Sequence, residues 1–197
     1  MLEAIRAHFP ADYSRLTRAY HQARKRGDAG AAREAAFQTF NDLYELHGPR
    51  LAGGESGALY VWARAVKSLM DASAKVDPKL CAEAFHGDPR YHAGLDERMS
   101  GALATYMRAT IEAYAASMKT RVAHADPTES DLGAFNGLVA GKNFSYRDLE
   151  AIGSPLAMKT RSYEDQCRLG RQLMSIVMTL PEPTKSRFLS DAAVGAM

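Results

Sequence analysis

Glu83-Ala84-Phe85-His86 sets a carboxylate and an imidazole three residues apart, one helical turn, where both could reach one metal ion from a single helix. Helical di-iron sites need two such pairs and two further glutamates on facing helices. This chain has one pair, so a capped helix end with an exposed histidine is the ordinary expectation. Immediately downstream, His86, Asp88, His92 and Asp96 surround an Asp88-Pro89 turn. Three such side chains could hold zinc if the turn folded back on itself. The spacing His-x-Asp-x3-His-x3-Asp matches no ligand pattern with a mechanical basis, and His and Asp are common turn and cap residues. A solvated turn is therefore the first expectation, with no cofactor required, and zinc the alternative.

Cys81 and Cys167 are the only cysteines and lie 86 residues apart, so there is neither a CxxC nor a disulfide framework. Three readings stay open. Two small buried apolar side chains come first. A single long-range disulfide, implying an oxidising compartment, comes second. A catalytic thiol comes third.

Gly133-Ala-Phe-Asn-Gly137-Leu-Val-Ala-Gly141-Lys142-Asn143 has the flavour of a phosphate loop. That loop needs four residues between its first glycine and Gly-Lys, then a Ser or Thr for magnesium, after a strand. Here three residues separate Gly137 from Gly141 and Asn143 replaces the hydroxyl, so the glycines read as helix punctuation. Arg24-Lys25-Arg26 is the one basic run, and Asp12 and Asp28 flank its helix. Cations near a helix C-terminus suit the dipole, and a solvated face explains them. No Ser/His/Asp or Cys/His pairing can be argued from six scattered histidines. The chain reads as a non-enzyme more readily than as an enzyme.

Helices must position whatever these residues do. Helical periodicity dominates, and alternation of strand type never exceeds four residues. Pro10 can open a helix to about Arg26, with Phe9, Tyr13, Leu16, Tyr20 and Ala23 on one stripe and Gly27-Asp28 as its stop. A second helix spans about 30–47, burying Phe37, Phe40, Leu43, Tyr44 and either Leu46 or His47, and Gly48-Pro49 should end it. Leu51-Ala52-Gly53-Gly54 reads as a flexible connection. A third helix from near Ser56 carries Leu59, Trp62, Val66, Leu69, Ser73 and Val76 until Asp77-Pro78 closes it, and Pro78 opens a short one through Phe85. The longest should cover about 93–124, with Leu95, Met99, Ala102/Leu103, Tyr106, Thr110, Ala113/Tyr114 and Met118 as its buried stripe and a break near Gly101 or an early end near Arg121.

Thr128/Asp131, Ser145/Asp148 and Ser162/Asp165 each place a hydroxyl three residues before a carboxylate, a capping-box arrangement. They predict helices over 129–140, 146–152 and 163–180, with a last short one over 184–192. The 163–180 helix is apolar round so much of its circumference that it should be central. The expected fold is all-α, a compact antiparallel helical bundle of six to eight helices in a single domain over 1–197, with a subdivision point near 125–128.

Composition closes off several functions. The 197 residues carry 25 Lys+Arg and 23 Asp+Glu, a formal charge of +2, with 46 % apolar residues. The two halves balance separately, so nothing marks a nucleic-acid or anionic-membrane binder. No uncharged run reaches the ~18–20 residues of a membrane span. The first residues, MLEAIRAHFPADY, lack a signal-peptide h-region. Taken literally that means cytoplasmic; a trimmed leader or anchor would make the chain a periplasmic or envelope domain. The functional expectation, by elimination, is a non-catalytic domain of adaptor, inhibitor or immunity-protein type that binds another protein. It would be a monomer or small homo-oligomer, with no nucleic acid and no direct membrane insertion. The alternative is a helical metal- or small-ligand-binding protein or enzyme using the His86/Asp88/His92/Asp96 region.

Overall fold

A computed structural model describes residues 1–86 and 97–195. Within them every regular element is a helix, eleven in all: α1 (Leu2–His8), α2 (Pro10–Lys25), α3 (Ala29–Leu51), α4 (Ser56–Ser73), α5 (Pro78–Phe85), α6 (Glu97–Lys119), α7 (Glu129–Ala140), α8 (Tyr146–Ile152), α9 (Pro155–Lys159), α10 (Tyr163–Thr179) and α11 (Thr184–Gly195). None of the described helices is long and apolar enough to cross a membrane. The count exceeds six to eight: nine of the helices fall on segments that the sequence marks as helical, and two short ones, α1 and α9, have too few turns to show a period.

Local signals place most boundaries. Gly27, at φ +70°, takes the left-handed conformation that stops α2. Asp28 then caps α3 by accepting from the Ala31 amide at 2.8 Å. Asp77 caps α5 ahead of Pro78. One boundary differs from expectation: α3 runs through Gly48-Pro49 to Leu51. Pro49 removes one helical N–H, but Pro49 and Glu45, four residues earlier, both lie at the surface. The carbonyl left without its donor can therefore hydrogen-bond to water, and the helix continues.

The following turn is not a loose connection either. The Val122 amide donates to the Gly53 carbonyl at 2.9 Å. His124 Nε2 sits 2.7 Å from the Gly54 carbonyl. Ser190 Oγ donates to the Ala52 carbonyl at 2.8 Å.

The helix at the centre is α4, which packs against α5, α6, α10 and α11. Its stripe of Leu59, Trp62, Val66, Leu69 and Ser73 is buried as the periodicity predicts, and Ala63 and Met70 are buried beside it. The partner α6 lies between α4 on one side and α1 and α3 on the other. Burial on both sides broadens its core face beyond the predicted stripe to include Met107 and Ile111, while Met118 is exposed and Leu95 lies outside the described residues. Of Leu46 and His47, the buried residue is His47. Its ring centroid is 4.9 Å from Phe9 and 6.3 Å from Tyr114.

α10 packs on α5, α4, α11 and α7 rather than at the centre. Its apolar breadth is spent on four neighbours. Gly170 makes the closest of these approaches: a Cβ there would stand 2.5 Å from Phe85 Cγ and 2.9 Å from Met70 Cε. Three residues before it, Cys167 is bonded to Cys81 on α5, with the two Cα atoms 5.2 Å apart. The first expectation of two free thiols is therefore replaced by the disulfide. The bond closes an 86-residue loop, which in the chain-entropy picture stabilises by about 4.6 kcal/mol.

Candidate functional site

The cluster expected around the 86–96 turn lies mostly outside the described residues: Asp88, His92 and Asp96 cannot be placed. His86, which can, ends α5. Its Nε2 is 2.7 Å from Gln166 Oε1, and Gln166 is buried and donates its amide to the Arg161 carbonyl at 2.7 Å. An amide oxygen opposite Nε2 makes that nitrogen the protonated donor, so Nε2 is engaged. Glu83 faces Lys79 at 3.8 Å. Among the described residues no three His, Cys, Asp or Glu side chains gather where a metal could bind. The disulfide leaves no thiol nucleophile. The Gly133–Asn143 segment is helix α7 and the turn after it, not a phosphate-binding loop.

Surface geometry singles out the α8–α9 corner. Ser145 caps α8 reciprocally with Asp148: the Ser145 amide donates to the Asp148 carboxylate at 3.0 Å, and the Asp148 amide donates to Ser145 Oγ at 3.2 Å. Ser154 and Pro155 open α9 in the same economical way. The buried Asp148 carboxylate also accepts from Arg168 Nη2 at 2.7 Å, with Arg161 3.5 Å away. Both arginines reach on to Asp165 at 2.9 Å. The hydrogen bond from Arg168, opposed by burial and helped by Ser145, holds Asp148 down to about 2.

Under the corner, Ala151, Met158 and Leu169 form a small second apolar cluster flanked by Phe144, Ile152 and Leu173. With its inner side anchored by charge pairs and this cluster, the corner turns Tyr146 (84 % exposed), Leu149 (44 %) and Leu156 (76 %) outward. Beside them Arg147, Glu150, Thr160 and Arg161 line a shallow cleft of about 260 Å³.

A matching anchor holds α7. Asp131 accepts from the Thr128 amide at 2.9 Å, from Thr128 Oγ1 at 2.7 Å, from Arg187 Nη1 at 2.6 Å and from Thr184 Oγ1. These bonds, led by that of Thr184, hold its carboxyl well below the usual carboxylate range. Phe135 stacks on Phe188 with centroids 5.1 Å apart.

Among the described residues three buried side-chain polar atoms have no hydrogen-bond partner: Tyr114 Oη, His47 Nδ1 and Arg161 Nε. Burial, with help from Arg50, lowers the His47 pKa. Tyr114 borders a cavity of about 70 Å³ among Trp62, Phe85, Tyr106 and Met174, room for an ordered water or two at ~30 Å³ each.

Sequence reasoning anticipated the caps that build the corner but not the surface it displays. The signal was there in part: Tyr146 and Leu149 follow a capping serine, three apart on one face. Leu156 lies on a helix too short to predict. No protein-family model matches this chain, and comparisons with curated proteins and with solved structures found no match.

Proposed function

We propose that the chain is a non-catalytic protein-binding domain of adaptor, inhibitor or immunity-protein type, whose partner docks on the α8–α9 corner. The observation that supports this is the exposure of Tyr146, Leu149 and Leu156 on a corner that buried Asp148 pins to α10. A fixed aromatic and two leucines with arginines beside them have the make-up of an interface centre: large apolar area, little conformational entropy to lose, and a polar rim. The supporting scaffold in this reading is a compact antiparallel bundle that is monomeric or a small homo-oligomer. The Cys81–Cys167 disulfide favours the periplasmic or envelope location over the cytoplasm, because such bonds persist in oxidising compartments.

Affinity capture from native extract tests the reading, using the wild-type chain beside a Tyr146→Ser/Leu149→Ser/Leu156→Ser variant. All three side chains are exposed, so the variant should keep its helicity and melting temperature. The expected result is a stoichiometric protein retained by the wild type and lost by the variant. Dissociation constants of the purified pair should then differ by about a hundredfold or more, as hot-spot truncation implies. Equal retention by both chains, or no stoichiometric partner for either, would overturn it.

A further inference from the structure

A groove on the other helices, remote in sequence from the α8–α9 corner, has the chemistry of a small-ligand site. It lies between α2 and α3 beside the start of α1 and encloses about 550 Å³, inside the roughly 300–1,000 Å³ span of small-molecule sites. One face of α2 supplies Tyr13, Leu16, Thr17, Tyr20, His21 and Arg24, which recur at spacings of three, one, three, one and three. Such a stripe would ordinarily be packed against another helix. Here Leu16 is fully buried in the floor together with Ala32 of α3, while Tyr20 remains 40 % exposed.

Polarity is distributed unevenly around this floor. Arg24 and Arg33 stand at the groove with His21 between helix turns, and no acidic side chain lines it. Arg15 pairs with Asp12 and Asp42, and Arg171 with Asp71, while Arg18, Arg26 and Arg64 form no ion pair among the described residues. Arg24 and Arg33 form no ion pair among the described residues, so two cationic side chains without a carboxylate partner line an otherwise largely apolar groove. An apolar floor with an unpaired cationic rim is complementary to an apolar body with an anionic head, and guanidinium forks match a carboxylate bidentately.

We infer that the α2–α3 groove binds a small amphiphile, an alkyl or aryl chain ending in a carboxylate, with the chain on Leu16, Ala32 and Ala36 and the head on Arg24 and Arg33. The site is independent of the partner-binding reading, since it uses different helices and its own test.

Calorimetric titration of the whole chain with dodecanoate, dodecanol and dodecyltrimethylammonium, each kept below its micelle concentration, separates the contributions of chain and head. The wild type should bind one dodecanoate saturably, about tenfold or more tighter than the alcohol, and should not bind the cation. An Arg24→Gln/Arg33→Gln variant should lose that preference, its dodecanoate affinity falling to that of the alcohol. Its melting temperature should stay at the wild-type value, because both arginines are exposed and unpaired. An Ala36→Trp variant that fills the floor should weaken all chain binding. The inference is overturned if dodecanoate shows no saturable binding to the wild type, if the three head groups bind alike, or if the arginine variant keeps the preference. Binding of an acidic amphipathic helical peptide in place of dodecanoate would overturn it in favour of a protein ligand.

Discussion

Two regions of this protein are held together by different physics. Around α4 and α6, cohesion comes from apolar burial: Leu59, Ala63, Met70, Met99, Ile111 and Tyr114 are all fully buried. Along α7 to α9 the contacts are polar. Asp131 and Asp148 each collect a reciprocal cap and arginine partners from a later helix, and the apolar cluster beneath α8 and α9 is built on three buried residues. The first kind of region is stabilised by area and is insensitive to direction or pH. The second gains specificity, because a buried carboxylate accepts only correctly placed donors, and it depends on the carboxylate remaining charged. An element fixed in this way can leave its apolar side chains outside, which is how Tyr146 and Leu156 come to be presented.

The largest effect should come from the apolar region. Leu59→Ala removes a fully buried side chain from α4 and should destabilise the whole fold by about 2–5 kcal/mol, read as a lowered denaturant midpoint with all helices unfolding together. A loss below 1 kcal/mol would mean the α4–α6 interface is not the cohesive part.

Acid should separate the two regions. Asp131 and Asp148 have folded pKa values below the ordinary 3.8. The unfolded chain therefore binds more protons than the folded one between the two values. Their contribution is fully present above the ordinary value and is lost as pH falls toward 2. Amide-exchange protection should drop in α7–α9 before it drops in α4 and α6 as the pH is lowered from 5. An Asp131→Asn/Asp148→Asn variant should show lower protection in α7–α9 already at pH 5 and little further acid dependence. His47, packed on Phe9 and Tyr114, is the one acid-sensitive group identified in the apolar region: its pKa is lowered, so its contribution is full above about 6.5 and declines as pH falls through its folded value, a loss at α3 that is complete before the window below pH 5 in which the two regions are compared. Simultaneous loss of all helices with acid would erase the contrast between the regions.

The smallest effect isolates one cap. Ser145→Ala leaves the Asp148 amide without its acceptor while sparing Arg168 and Arg161, and should cost about 1 kcal/mol. Exchange in α8 should rise while α4 is untouched. A cost above 3 kcal/mol would show that the cap, rather than the arginines, carries the anchor.

What could be read without the fold follows the same division. Helices α4, α5, α7 and α8 fall where periodicity and caps predict, because a cap is a hydrogen bond over three residues and a stripe repeats within two turns. His86 was legible as a helix end but not in its surroundings: the imidazole expected in solvent is half-buried against Gln166, 80 residues away in sequence. The outward face of the corner was not, because Leu156 belongs to a five-residue helix that has no period to detect.

By itself, then, the amino-acid order determined that the chain is helical, where most helices begin, and that Asp131 and Asp148 would sit at their starts. These follow from interactions between near neighbours. Only the tertiary structure decided that α4 rather than α10 is central, that α3 survives Pro49, that Cys81 meets Cys167, and that one face of α2 is left uncovered beside Arg24 and Arg33. Each of those depends on which distant surfaces compete for the same apolar face, and on whether an unmatched carbonyl or charge ends up in water, quantities no local pattern contains.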